Sequence, residues 1–302
     1  MSAEHSTAHI IQSLVANLVI AAGKGVAAVL TGSGSMLAET LHSFADCGNQ
    51  LLLLLGVKRA QKPADRQHPM GYGRSLYFWS FMVALMLFLG GGVFSIYEGI
   101  HKIHEPEKVE KVWLGIVILG GSILVEGWAL LSNIREMKQR RGAKPLMRYL
   151  RETKDSDLVV VFGENFAAVV GLVFALAALL IADRTGDGRW DGVGSLAIGV
   201  VLVAVAAFLA FEIMGLLVGE AADPDVDAAA RQLVAAHPKL DSVLHLITVQ
   251  QGPGEVMVAA KVKPTTGQSA EELCETINEF ERQLKQRCPA VRWSFIEPDV
   301  KA

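Results

Sequence analysis

His42 and Asp46 stand four residues apart inside an apolar stretch, Met36–Gly56, that reads MLAETLHSFADCGNQLLLLLG. On a helix that spacing stacks both side chains on one face, one turn apart. Imidazole and carboxylate so placed are what one helix offers to a divalent metal. The stretch has the length of a membrane span, where an ionisable group costs at least ~2.5 kcal/mol and marks an ion or proton path. Glu164 is a second polar intrusion, within LVVVFGENFAAVVGLVFALAALLIA. An acid there needs a partner. His42, Asp46 or a bound cation supplies one; a bond to a neighbouring helix, or simple protonation, is the other reading.

Those residues need elements to position them. Of the 302 residues 51% are hydrophobic, mean hydropathy is +0.36, and the apolar residues fall in long runs, unlike an ordinary soluble domain. Six runs, about Ile10–Thr31, Met36–Gly56, Leu76–Ile100, Val112–Ile134, Leu158–Ala182 and Gly192–Val218, approach or exceed the ~20 residues of a spanning helix. Gly32 to Ser35 makes the tight turn between the first two, and Gly90-Gly91-Gly92 and Gly120-Gly121 allow close helix contact. Asp191 opens the sixth run, where a carboxylate suits a helix N-terminus. The start, MSAEHSTAHI, lacks a basic leader region, so the first run is expected to be a retained helix.

Loop charge orients the bundle. Lys58, Arg59, Lys62, Arg66 and Arg74 lie in the second connection, and eight basic residues from Arg135 to Lys154 in the fourth. The opposite connections hold Lys102, Lys108, Lys111, Arg184 and Arg189, mixed with acids. The positive-inside rule then places both termini in the cytoplasm. Net charge of −3 gives no field for nucleic acid, and Cys47, Cys274 and Cys288 form no disulfide framework. After Glu220 the composition changes, and Ala221-Ala222-Asp223-Pro224 ends the last helix. A helix over Val226–Ala236, strands over Ser242–Gln250 and Glu255–Lys263, a capping-box helix from Ser269 and a strand over Val291–Ile296 follow. The expected fold is an all-α six-helix transmembrane domain, residues 1–220, and a small α/β domain of order αββαβ, residues 221–302.

HxxxD in the second run, HPMGYGR (His68 to Arg74) leading into the third, the basic fourth connection, WDGVGSLAIG at the sixth and FIEPD (Phe295 to Asp299) together resemble the cation diffusion facilitator family. The resemblance covers nearly the whole chain. It implies a divalent-metal transporter with a ferredoxin-like cytoplasmic domain, working as a homodimer in the cell (inner) membrane. The family's transport site takes four ligands from the second and fifth helices. Here the aligned fifth-helix pair is Glu164 and Ala168, so three protein ligands are implied: His42, Asp46 and Glu164. Water or the Asn49 amide is left for the fourth position, with Asn165 about 100° round the helix from Glu164. The chain looks like the Glu-containing branch to which animal organellar zinc transporters belong.

Asp65 and His68 match a second family site, but Tyr72 stands where a third ligand, commonly His, is found; otherwise His68 caps the third helix. His245 aligns with one ligand of the family's C-terminal cluster, whose other positions are apolar here. Glu39, three before His42, lines the pathway or packs, and Cys47 packs. The function implied is efflux of Zn2+ (or Mn2+, Fe2+, Co2+) against inward H+ by alternating access. Imidazole tilts the choice to zinc, and metal and protons compete for the same ligands. No GxxxxGK[ST] loop for ATP and no HExxH for a membrane protease is present. A metal-sensing scaffold without transport is the remaining reading. No enzymatic activity and no resident cofactor are expected.

Overall fold

The computed structural model describes residues 3–301, with side chains at Leu14 and from Asn17 on. Met1 and Ser2, part of the segment read as lacking a leader, and the terminal Ala302 lie outside the described residues. α1 (Ala3–Thr31) and α2 (Gly34–Ala60) are separated only by Gly32 and Ser33. Gly32 takes a left-handed φ of 64°, open to glycine without a side-chain clash. The turn is thus shorter than the four residues expected, because Gly34 already belongs to α2.

Ser75–His104 forms one rod: α3 (Ser75–Met86), a π-helical segment Leu87–Val93, and α4 (Phe94–His104). α5 (Val112–Arg141), a short α6 (Leu146–Glu152), α7 (Ser156–Thr185) and α8 (Arg189–Val218) follow. The π segment falls on the glycine triplet. A β-carbon on Gly92 would come within 2.7 Å of the Val203 side chain, so α8 approaches there. Gly120 and Gly121 differ: a β-carbon on either would meet nothing within 4 Å, so close packing is not their role in this structure. Among the described residues, four rods are long and apolar enough to span a bilayer: Ser75–His104, Val112–Arg141, Ser156–Thr185 and Arg189–Val218. The apolar part of α1, Asn17–Thr31, is shorter. In α2, Glu39, His42, Asp46 and the basic C-terminal end dilute the apolar character.

The last part of the chain is ordered by local signals. Asp223 caps α9 (Pro224–Ala236) by accepting from the Asp225 amide at 3.0 Å. β1 (Leu240–Gly252) and β2 (Glu255–Pro264) make an antiparallel hairpin. Ser269 and Glu272 close the capping box of α10 (Ala270–Arg287), and β3 (Val291–Pro298) lies parallel to β2. The sheet order is β1-β2-β3. Val256, Val258, Ala260 and Val262 alternate along β2 into the core, against Val226, Ala230 and Val234 of α9 and Phe280 and Leu284 of α10. Each such valine contributes about 1.5–3 kcal/mol by leaving water. A helical membrane bundle followed by αββαβ is the architecture expected above. Contacts group the chain into two units. One holds the helices up to Lys58, Phe78–Arg151 and Asp157–Ile213; the other holds Arg59–Tyr77, Glu152–Ser156 and the chain from Met214 on.

Candidate metal centre

The first turn of α2 sets where its polar residues lie. Ser33 Oγ accepts from the Met36 amide at 3.1 Å, an N-cap. The next donors go to a distant carboxylate. Asp191, fully buried in α8, accepts from the Gly34 amide, the Ser35 amide at 3.3 Å, the Ser33 hydroxyl at 2.7 Å and the Ser35 hydroxyl. Asp191 lies in the first turn of its own helix, but its side chain caps α2, and its charge suits that N-terminus. Lys102, read above as a loop charge, is buried in the last turn of α4 and donates to the Gly32 carbonyl.

Two turns into α2, His42 and Asp46 share a face, with Nδ1 and Oδ1 3.6 Å apart. Both ring nitrogens of His42 and Oδ1 of Asp46 are buried without a hydrogen-bond partner among the described residues. An orphaned imidazole and carboxylate are unfavourable unless water, a proton or a cation satisfies them, and a cation suits the lone pairs of both. Asn49 lies one turn further on. Its Nδ2 donates to Oε1 of Glu164 on α7 at 2.6 Å, and its own Oδ1 is also orphaned. The amide considered above as a fourth ligand therefore ties Glu164 to the helix that carries His42 and Asp46. Ala168 is buried and offers no donor.

Asp46 and Glu164 line one cavity of about 320 Å³ between α1, α2, α5 and α7. Asn165 is on its wall as well, although it is turned from Glu164 on the helical wheel; the cavity is wide enough to meet both. The lining runs along α5 from Glu126 to Glu136, about 15 Å at 1.5 Å per residue, toward the end that carries Arg135 to Arg141. The structure thus brings His42 to Asp46, and Asp46 and Glu164 to one cavity. It does not gather all three: among the described residues, no three His, Cys, Asp or Glu side chains are placed to hold an ion together.

Sequence reasoning missed Lys24. It is fully buried in α1, 2.8 Å from Ser43 Oγ and 3.3 Å from Oε2 of Glu39, and 3.2 Å from Glu126 Oε1. Its signal was legible, because Lys24 is a lone cation in the apolar run Ile10–Thr31. Glu39 is held in this network and is absent from the cavity wall. Cys47 is buried, in keeping with packing.

Asp65 and His68 pair in an exposed loop, Oδ1 to Nδ1 at 3.5 Å. The helix starts at Ser75, so His68 does not cap it. Tyr72 donates its hydroxyl to Asp65 Oδ2 at 2.7 Å, and the His68 and Gln67 amides reach Asp65 Oδ1 at 2.7 and 2.9 Å. The tyrosine therefore satisfies the carboxylate where a third metal ligand would stand. That hydroxyl first, then the His68 amide, holds the Asp65 carboxyl below its usual range. The contribution to loop order is full above the ordinary carboxylate pKa, ~3.9, and is lost only as pH falls through the lower folded value. Tyr72→Phe is expected to move the Asp65 titration upward in a carboxyl NMR experiment; an unmoved titration would assign the shift elsewhere. His245 lies in a shallow cleft with Lys261, Phe295 and Glu297, and joins no cluster of potential ligands among the described residues.

Residues 10–218 match the family described as the cation efflux transmembrane domain. Among similar curated proteins is the mitochondrial proton-coupled zinc antiporter SLC30A9 of Xenopus laevis, 34% identical over 241 residues, covering 79% of this chain and 43% of that protein. The Homo sapiens protein of the same name is 30% identical, covering 79% of this chain and 42% of its own length. Metal tolerance protein C4 of Arabidopsis thaliana is 29% identical over 261 residues, covering 86% and 57%. The chain spans about two fifths to three fifths of the length of these relatives. A solved MamM C-terminal domain in a nickel form covers 26% of this chain and 99% of its own length, at 10% identity and a TM-score of 0.24, too low to argue from.

Proposed function

The chain belongs to the cation efflux family and is a membrane protein, and from that premise we propose that it exports a divalent metal, zinc foremost, in exchange for protons. The transport domain is residues 1–220, and residues 221–302 form a cytoplasmic domain through which two copies pair. Both termini and the basic connections face the cytoplasm of a cell (inner) membrane. His42, Asp46 and Glu164 are the ligands. The observation that supports this most is the run of orphaned buried atoms on His42, Asp46 and Asn49, one turn apart, with Glu164 tied to the last of them. Buried lone pairs of this kind are satisfied by an ion or by protons.

The cavity supplies a path. It leads from the basic end of α5, past Glu136, to Asp46 and Glu164, so an ion from the cytoplasmic side meets carboxylates before it reaches His42. Glu164 then exchanges the Asn49 amide for the ion, and a small rotation of α7 against α2 brings it to the His42–Asp46 pair. Opening to the far side lets protons occupy the same lone pairs and release the metal. Borderline zinc suits one imidazole with two carboxylates. The zinc-antiporter names of the relatives support the same choice for this chain.

The test is purified full-length protein in proteoliposomes, with zinc flux and lumenal pH read together. Zinc movement coupled to opposite proton movement is expected. Equilibrium zinc binding without flux would replace the reading with a sensor, and neither binding nor flux would end it.

A further inference from the structure

Lys24 joins three helices through one ammonium. From α1 it reaches Glu39 and Ser43 on α2, at 3.3 and 2.8 Å, and Glu126 on α5, at 3.2 Å. A lysine has three N–H donors, and here there are three acceptors. The two carboxylates differ in place. Glu126 stands on the wall of the cavity with Asp46 and Glu164, while Glu39 is fully buried away from it. Ser43 is the residue next to His42. A cation at this depth is costly unless it is paired, and two carboxylates for one ammonium is more than pairing alone requires.

We propose that Lys24 determines which ion the cavity accepts: its ammonium occupies Glu126 and so keeps a third carboxylate out of the coordination of an ion at Asp46 and Glu164. The proposal rests on the transport reading above. With the ammonium in place, an entering dication meets one imidazole and two carboxylates. With it removed, the Glu126 carboxylate is free to turn into the cavity it already lines. The donor set then shifts toward oxygen, which favours harder ions such as Mn2+ over Zn2+. A residue that merely braced α1, α2 and α5 would affect all ions alike.

The experiment compares Mn2+ and Zn2+ flux in proteoliposomes of the full chain. Lys24→Met is expected to raise the Mn2+:Zn2+ ratio by roughly tenfold. Lys24→Arg, which keeps the charge, is expected to hold the wild-type ratio. Two double variants conserve the net charge of the trio and carry the test should the single variant fail to fold. Lys24→Met with Glu39→Gln leaves Glu126 free and is expected to show the raised ratio. Lys24→Met with Glu126→Gln removes the extra ligand and is expected to show the wild-type ratio. Equal ratios in the two double variants, or a fall in both fluxes with no change of ratio, overturn the proposal. A wild-type protein that moves neither ion refutes the transport reading instead, so the two failures are distinct.

Discussion

Zinc flux through His42→Ala, and separately through Asp46→Ala, is expected to fall by at least about 100-fold, since even groups that only orient metal ligands cost 10–100-fold in affinity or activity. The folded protein should survive both changes. Neither nitrogen of His42, nor Oδ1 of Asp46, donates to or accepts from any described residue, so removing them breaks no hydrogen bond at those atoms. Deleting a buried polar group that has no hydrogen-bond partner forfeits only its packing, whereas deleting half of a bonded pair also strands the other half. Thermal melting should therefore separate function from fold. Without metal, the variants are expected to melt close to the wild-type temperature, because loss of an orphaned polar group offsets much of the cavity left behind. With zinc at about 100 times the dissociation constant, the wild type gains roughly 2.7 kcal/mol and the variants gain none. Wild-type flux in both variants would place the ions elsewhere. Loss of flux accompanied by a large loss of metal-free stability would make the pair structural.

Asp191→Ala carries the largest expected cost to stability. Four donors at the start of α2 lose their acceptor at once: the Gly34 and Ser35 amides and the Ser33 and Ser35 hydroxyls. All of these groups are buried. Bonds to a charged acceptor contribute about 1.5–3 kcal/mol each, and part of that loss is recovered by water entering the gap or by local rearrangement. A net loss of about 3–5 kcal/mol is expected, in the range measured when one member of a buried charged pair is removed. Asp191→Asn keeps acceptor capacity without the charge, and should lose markedly less. Hydrogen exchange localises the effect: amides in the first turns of α2 should exchange faster in Asp191→Ala, while those of β2 remain protected. Unchanged exchange in α2 would mean that Ser33 alone suffices as the cap. Since α2 carries His42 and Asp46, a loosened first turn is also expected to weaken zinc binding.

Much of the molecule could be read before any coordinates. The long apolar runs, the break after Glu220 and the αββαβ order follow from hydropathy, from Pro224 and from the capping box at Ser269, all of which are local properties. The His42–Asp46 pair was equally legible, because a four-residue spacing on a helix fixes a shared face whatever surrounds it. Helix ends were less so. The turn at Gly32 is tighter than its composition implies, because the donors that open α2 are satisfied by a residue far away in the chain. Asn165 shows the limit of the helical wheel, which gives the angle of a side chain and says nothing of the width of the space it faces.

The amino-acid sequence by itself determined the classes of element, their order, the polar pair of α2 and the acid of α7, since each depends on residues within a few turns of one another. Tertiary structure alone decided which polar groups meet: Asp191 with the start of α2, Asn49 with Glu164, Tyr72 with Asp65, and Lys24 with Glu39 and Glu126. All but the loop pair of Tyr72 and Asp65 join different helices, and even there Tyr72 takes up the very carboxylate that the spacing offers to a metal. Periodicity fixes the face of each helix but leaves free its rotation and depth against its neighbours. Those are set by packing, by small residues at contacts such as Gly92 against Val203, and by the need of every buried charge for a partner.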